Sequence, residues 1–226
     1  MDTFRTFWEG LDWSVLTEIL LSVVPALLCI TLHELAHGYT AWRLGDDTAK
    51  RAGRLTLNPL RHIDPMGLVM MAVLRFGWAK PVPVNMRNFK HPRTGMALTA
   101  AAGPLCNLLI TVALLPLYGL LYAPLNRSGS AIDGFVLDSI GIAARLSISL
   151  AVFNVIPIPP LDGSKVLFSF LSDRWYARLM RYERCGSIVL LVLIWSGLLR
   201  APLLTATDWL FDRLFVLAQW TNRLTA

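Results

Sequence analysis

Two histidines four residues apart, with a glutamate between them, are the first residues of this chain that could do chemistry together. His33-Glu34-Leu35-Ala36-His37 fits the pattern H-E-x-x-H. On a helix, positions i and i+4 share a face, so both imidazoles can reach one zinc ion. Glu34 sits one position round, beside them. Zinc lowers the pKa of a coordinated water to about 7, and a carboxylate placed there can take the proton and hand it to a leaving amine. Two histidines and a glutamate in an apolar helix are costly to bury and mark a functional site.

A catalytic zinc takes three protein ligands and keeps one position open, so another His, Asp, Glu or Cys must arrive at the same depth. Asp162 is the best candidate. It lies in FNVIPIPPLDGSKVL, where Pro157, Pro159 and Pro160 prevent a regular helix and Gly163 permits a sharp turn. His62 and His91 are weaker rivals because both fall in turn-rich polar segments. The group Arg61-His62-Ile63-Asp64 reads more simply as polar packing. Cys29, Cys106 and Cys185 lie in or beside apolar runs with no C-x-x-C pair, and read as core residues.

The elements that must position these residues are membrane helices. Of the 226 residues 55% are hydrophobic and 16% charged, and the mean hydropathy is +0.53. The apolar residues gather into runs that approach the roughly 20 needed to cross about 30 Å of hydrocarbon. Spans are expected at about 14–44, 94–123, 136–156 and 186–199, with 203–224 as an interfacial or fifth helix. Pro25 is a possible kink, and Gly45-Asp46-Asp47 a stop for the first helix. Small residues opening the second span (MALTAAAGPLCN) permit close helix approach. Between the first two spans, the apolar piece 66–76 is too short to cross and suggests a re-entrant or interfacial hairpin. Residues 55–57 and 82–84 are expected as short strands at the membrane edge. The predicted fold is an all-α polytopic bundle of four to five transmembrane helices with that hairpin, forming one domain over 1–226. Arg145, near the middle of the third span, needs Asp138 as a partner or a shifted span that lets it snorkel.

The formal net charge of +6 does not point to nucleic acid, because the cations flank apolar runs. Residues 43 to 93 carry ten Lys or Arg and residues 157 to 184 carry five, against one before the first span and one between the second and third. The positive-inside rule then makes both basic stretches cytoplasmic. The first and third spans end on that side, which brings Asp162 and the HELAH helix to one face. The acidic, aromatic N-terminus reads as no removable leader.

HELAH in an early span, GPLCN in a later one and NVIPIPPLDG after a third resemble the site-2 protease family of intramembrane zinc metalloproteases. GRLTLNPLRHIDPMG and GWAKPVPVN resemble its compact prokaryotic members without PDZ or CBS modules. The resemblance implies one zinc held by His33, His37 and Asp162, Glu34 as catalytic acid/base, transmembrane proteins as substrates, and a prokaryotic cytoplasmic membrane with the site towards the cytoplasm. Asn154 and Asn107 match family asparagines, and either amide could donate to a substrate carbonyl or tie helices together. Pro157, Pro159 and Pro160 with the 66–76 hairpin offer an edge for an unwound substrate strand. Two alternatives make different predictions: a metal-ion transporter would tolerate Glu34→Gln, and a catalytically silent helix-binding relative would have no use for Glu34.

Overall fold

The computed structural model of the chain describes residues 13–67, 79–172, 176 and 183–225. Helix α1 (Trp13–Arg43) runs through Pro25 and ends where Gly45 adopts φ 108°, a left-handed conformation open to glycine. After the one-turn α2 (Thr48–Arg51) the described residues include the 3-10 turns Pro59–Arg61 and Met86–Asn88, and the long helix α3 spans Pro92–Ser128. At 37 residues, α3 is about 55 Å long, more than a bilayer core requires. Proline at its first turn starts it, and Gly129 in the left-handed region follows its end. Ser130, accepting a hydrogen bond from the Ile132 amide, caps α4 (Ala131–Val155). The chain then passes the prolines into the short α5 (Asp162–Ser169), followed by α6 (Glu183–Trp195) and α7 (Arg200–Asn222).

Leu20–Arg43 of α1, α3 and α4 are long and apolar enough to cross a membrane, and α6 with α7 makes a fourth such unit bent by 84°. The spans expected at 94–123 and 136–156 thus correspond to α3 and α4. The span expected at 186–199 overlaps α6, whose 13 described residues, about 20 Å, reach a membrane-crossing length only together with α7. The segment 203–224, expected as an interfacial or fifth helix, is α7, which packs along the bundle. Gly119 of α3 meets the backbone of Ala218 in α7, and Thr221 Oγ1 donates to Pro116 O at 3.0 Å. The charges that dilute the hydropathy of α7 have a partner in space. Asp208 pairs with Arg145 of α4, so the expected Asp138 partner is corrected, and Phe211 lies under the guanidinium.

Two apolar clusters hold the bundle. Leu115, Ala144 and Ala218 join α3, α4 and α7, whereas Ala41, Phe89 and Met96 seat the end of α1 on the start of α3. Polar contacts across helices are short and use small side chains: Thr111 Oγ1 donates to Ala144 O (3.1 Å), and Ser147 Oγ to Asn107 O (2.8 Å).

Among the described residues of 46–91, hydrogen bonds shape the chain more than secondary structure does. Neither 55–57 nor 82–84 is a strand; the one β-contact among the described residues is an isolated antiparallel bridge between Ile63 and Ala79. Too few backbone groups pair there for a sheet, and Pro81 and Pro83 lack the amides a ladder needs. Most of the 66–76 hairpin lies outside the described residues. Asp46, fully buried, gathers the Thr48 amide and hydroxyl, the Asn85 amide (2.6 Å) and Asn88 Nδ2 (2.7 Å), which pins the end of α1 to the loop before α3.

Candidate metal centre and active-site cleft

His33 and His37 project from the buried face of α1, and Asp162 begins α5 directly after the proline run. All three are at most 8% exposed. Their ligand atoms form a nearly equilateral triangle: His33 Nε2 to His37 Nε2 is 3.0 Å, and Asp162 Oδ2 is 3.2 Å from the first and 3.1 Å from the second. Among the described residues these three form the metal-ligand cluster, and His62 and His91 do not join it.

Hydrogen bonds behind the rings decide what the triangle can hold. His37 Nδ1 lies 2.7 Å from Thr99 O. A carbonyl only accepts, so Nδ1 carries the proton and the neutral ring aims a lone pair from Nε2 into the triangle. On the other ring, His33 Nδ1 is 3.1 Å from Asn107 Nδ2, while the buried Asn107 Oδ1 has no partner. A half-turn of that amide places Oδ1 on Nδ1–H and gives His33 the same tautomer. Three lone-pair-bearing atoms then converge with no proton between them, an arrangement that repels itself unless a cation sits among them. Tetrahedral zinc with bonds of about 2.0–2.1 Å sets its ligand atoms about 3.3–3.4 Å apart, close to the observed edges. The donor set fits zinc. Asp162 completes the set as a carboxylate, whose oxygens only accept. Ionised is the form a ligand must take.

Room for the rings comes from α3. A Cβ on Gly103 would lie 2.5 Å from His37 Cε1 and 2.6 Å from His33 Cε1, so only glycine lets this helix back onto the pair. Gly163 performs a similar service on the other side, because a Cβ there would meet the carbonyls of Val155 and Ile156. Bare α-carbons therefore set both approaches to the triangle.

The triangle opens into a cleft of about 650 Å³ that Glu34 also lines. Its outer wall is the extended segment 79–84, facing Pro160 and Lys165. Val82 N–H donates to Glu34 Oε2 at 2.8 Å. That segment is held in turn by its Lys80 backbone: Arg54 Nη2 donates to Lys80 O at 2.6 Å, and Lys80 N–H to His62 O at 2.9 Å. His62 is buried with Nε2 3.0 Å from Thr56 O, and Asp64 accepts from the Met66 amide at 2.9 Å.

The two asparagines separate. Asn154 lines the cleft, its amide also donating to Leu150 O at 2.9 Å. Asn107 is fully buried behind His33, and its carboxamide reaches the ring rather than the cleft. Sequence reasoning did not single out Gly103, Lys165, whose Nζ lies 4.0 Å from Asp162 Oδ1, or the Val82 amide. The i, i+3 spacing of Asp162 and Lys165 was the available signal for the lysine.

Residues 22–197 match the sequence profile of Peptidase family M50. A protein of Bacillus subtilis (strain 168) named "Putative zinc metalloprotease YwhC" is 40% identical over 177 residues, covering 76% of this chain and 78% of its own. Proteins named "Putative zinc metalloprotease Rip2" from Mycolicibacterium smegmatis and Mycobacterium tuberculosis (strain H37Rv) are each 30% identical. They cover 85% and 82% of this chain, and 73% and 71% of their own lengths. No solved structure matches the chain.

Proposed function

The chain belongs to peptidase family M50 and is an intramembrane zinc metalloprotease, and on that premise we propose that His33, His37 and Asp162 hold the ion while Glu34 moves the proton. The observation that carries this assignment is the convergence of three lone-pair-bearing atoms within 3.2 Å of one another in a cleft that Glu34 shares.

Bound there, zinc supplies an acidified water and a positive charge beside the scissile carbonyl. Glu34 accepts the proton that the attacking water loses and delivers it to the amide nitrogen as the C–N bond breaks. The Val82 amide fixes Oε2 of that carboxylate, which leaves Oε1 free to face the water. Asn107 and Thr99 O are positioning groups that set the tautomers and ring planes of the two histidines. Asn154 is placed to hydrogen-bond a substrate backbone group from the cleft wall. Carbonyls of a helical substrate are already hydrogen-bonded, so the segment being cut unwinds before it enters. The substrates are membrane proteins cut in or near their spanning segments. The single domain over 1–226 resides in a prokaryotic cytoplasmic membrane with the metal centre towards the cytoplasm, as the distribution of basic residues favours.

The test pairs Glu34→Gln with Asp162→Ala in detergent-purified protein. The first is expected to keep its zinc and lose cleavage of a panel of single-span proteins; the second is expected to lose zinc. Cleavage retained by Glu34→Gln, as a transporter would permit, defeats the assignment.

A further inference from the structure

Behind the metal cleft lies a second cavity, a groove of about 660 Å³ between α3, α4 and α5 that α7 reaches through Leu210. Its walls include Leu105 and Leu108 of α3, Val152 and Val155 of α4, Leu167 of α5 and Phe170. The groove and the cleft have Asn154 and Asp162 in common, so the two spaces meet at the metal ligand. Their chemistry is divided: Glu34 and Lys165 line the cleft, whereas among the described residues Asp162 is the only charged one lining the groove.

We propose that this groove is the subsite that receives a bulky apolar side chain of the substrate, adjacent to the bond being cut. The proposal rests on the proteolytic reading of His33, His37, Asp162 and Glu34 given above. Apolar side chains exposed on membrane helices are ordinary, but here they form a concavity that a metal ligand, Asp162, helps to line. An extended chain lying across that ligand must send side chains alternately to either side. On one side they meet the cleft with Glu34 and Lys165; on the other they meet a space where, among the described residues, Asp162 alone is charged. A segment unwound from a membrane span brings the leucine, valine and phenylalanine side chains that such a space accepts. The volume lies in the range that binds a small-molecule-sized apolar group, enough for one large side chain and part of its neighbours. Phe170 is 82% and Val155 61% exposed, so the groove is open at its edge and a segment can enter sideways rather than by threading.

The experiment uses the zinc-loaded full chain in detergent micelles and three peptidyl hydroxamates that differ in one side chain: methyl, isobutyl or 2-phenylethyl. Affinities are measured by calorimetry, which needs no natural substrate and no turnover. Wild type is expected to bind the phenylethyl probe at least tenfold more tightly than the methyl probe. Val152→Trp and Leu105→Trp each fill the groove and are expected to reduce that preference to less than twofold with zinc content unchanged. Leu109→Trp, on an exposed face of α3 outside the groove, is expected to keep the preference. Equal binding of all three probes by wild type, a preference that both groove variants retain, or an equal loss in Leu109→Trp overturns the proposal. Added phospholipid that abolishes the preference also overturns it and assigns the groove to an acyl chain. Zinc-loaded protein that binds no hydroxamate sinks the metal-centre reading itself, and the subsite with it.

Discussion

Replacing Gly103 with alanine adds one methyl group at the place where the structure has least room for it. The new Cβ would stand 2.5 Å from His37 Cε1 and 2.6 Å from His33 Cε1, against the 3.5–4.0 Å at which carbon atoms rest. About 1 Å must be recovered. Ligand positions around zinc tolerate about 0.2 Å, so rings that move aside by that much no longer present both Nε2 atoms to one ion. If α3 moves instead, it pulls Thr99 O from His37 and Asn107 from His33, contacts of 2.7 and 3.1 Å. Either route costs roughly 1–3 kcal/mol, as overpacking does, and at 1.4 kcal/mol per factor of ten zinc affinity should fall about 5- to 150-fold. Chelator competition on the purified variant reads this directly. Gly134→Ala is the control: a Cβ there meets nothing within 4 Å, and within α4 alanine should stabilise by up to about 1 kcal/mol with zinc affinity unchanged. Wild-type zinc affinity in Gly103→Ala would refute the claim that bare backbone at 103 sets the ring positions.

Asn107→Asp keeps an acceptor on His33 Nδ1–H, and Asn107→Leu does not; the leucine variant should bind zinc 10- to 100-fold more weakly, as loss of an outer-sphere partner does, with the aspartate variant recovering much of that in chelator competition. Asp46 is held below the ordinary carboxylate range because hydrogen bonds from Thr48, Asn85 and Asn88 outweigh the upward push of burial. Its folded pKa is thus below its unfolded one, so its stabilisation is present above the unfolded value and is lost as pH falls through the folded one. Thermal scans of Asp46→Asn should show lower stability at neutral pH, by on the order of 2 kcal/mol, and a flatter acid limb than wild type; an unchanged acid limb contradicts this. Gly119→Ala should loosen α7, since a Cβ there would lie 2.8 Å from the Ala218 carbonyl carbon. Sixteen residues along α3 from Gly103, about 24 Å away, it should lower Tm and expose the C-terminal helix to protease while leaving zinc content intact.

What was legible in the sequence follows from how far apart the cooperating residues lie. His33, Glu34 and His37 share one helical turn, so their spacing alone announces a metal site. Asp162 lies 125 residues beyond His37, and only topology drawn from basic residues brought it to the same face. Asn107 was visible as a motif residue, but its contact with His33 spans 74 positions and no local pattern encodes it. The Val82 amide bound to Glu34 is a backbone group and leaves no mark in side-chain chemistry. Helix α7 was left between an interfacial and a fifth spanning helix because Asp208, Asp212 and Arg213 lower its hydropathy, whereas Arg145, 63 positions away, compensates one of those charges in space. A helix whose charge is satisfied by another helix looks too polar by itself. The short strands at 55–57 and 82–84 failed for the opposite reason. Apolar alternation there is local, but the backbone partners that make a strand are missing.

X-ray absorption at the zinc edge tests the metal assignment most directly. The zinc-loaded protein is expected to show a first shell of nitrogen and oxygen only, at about 2.0–2.2 Å, with the multiple-scattering pattern of two imidazoles. A sulfur scatterer near 2.3 Å would bring Cys29, Cys106 or Cys185 into the shell, and a pattern with fewer than two imidazoles would remove His33 or His37; either result contradicts a site built from these two histidines and Asp162.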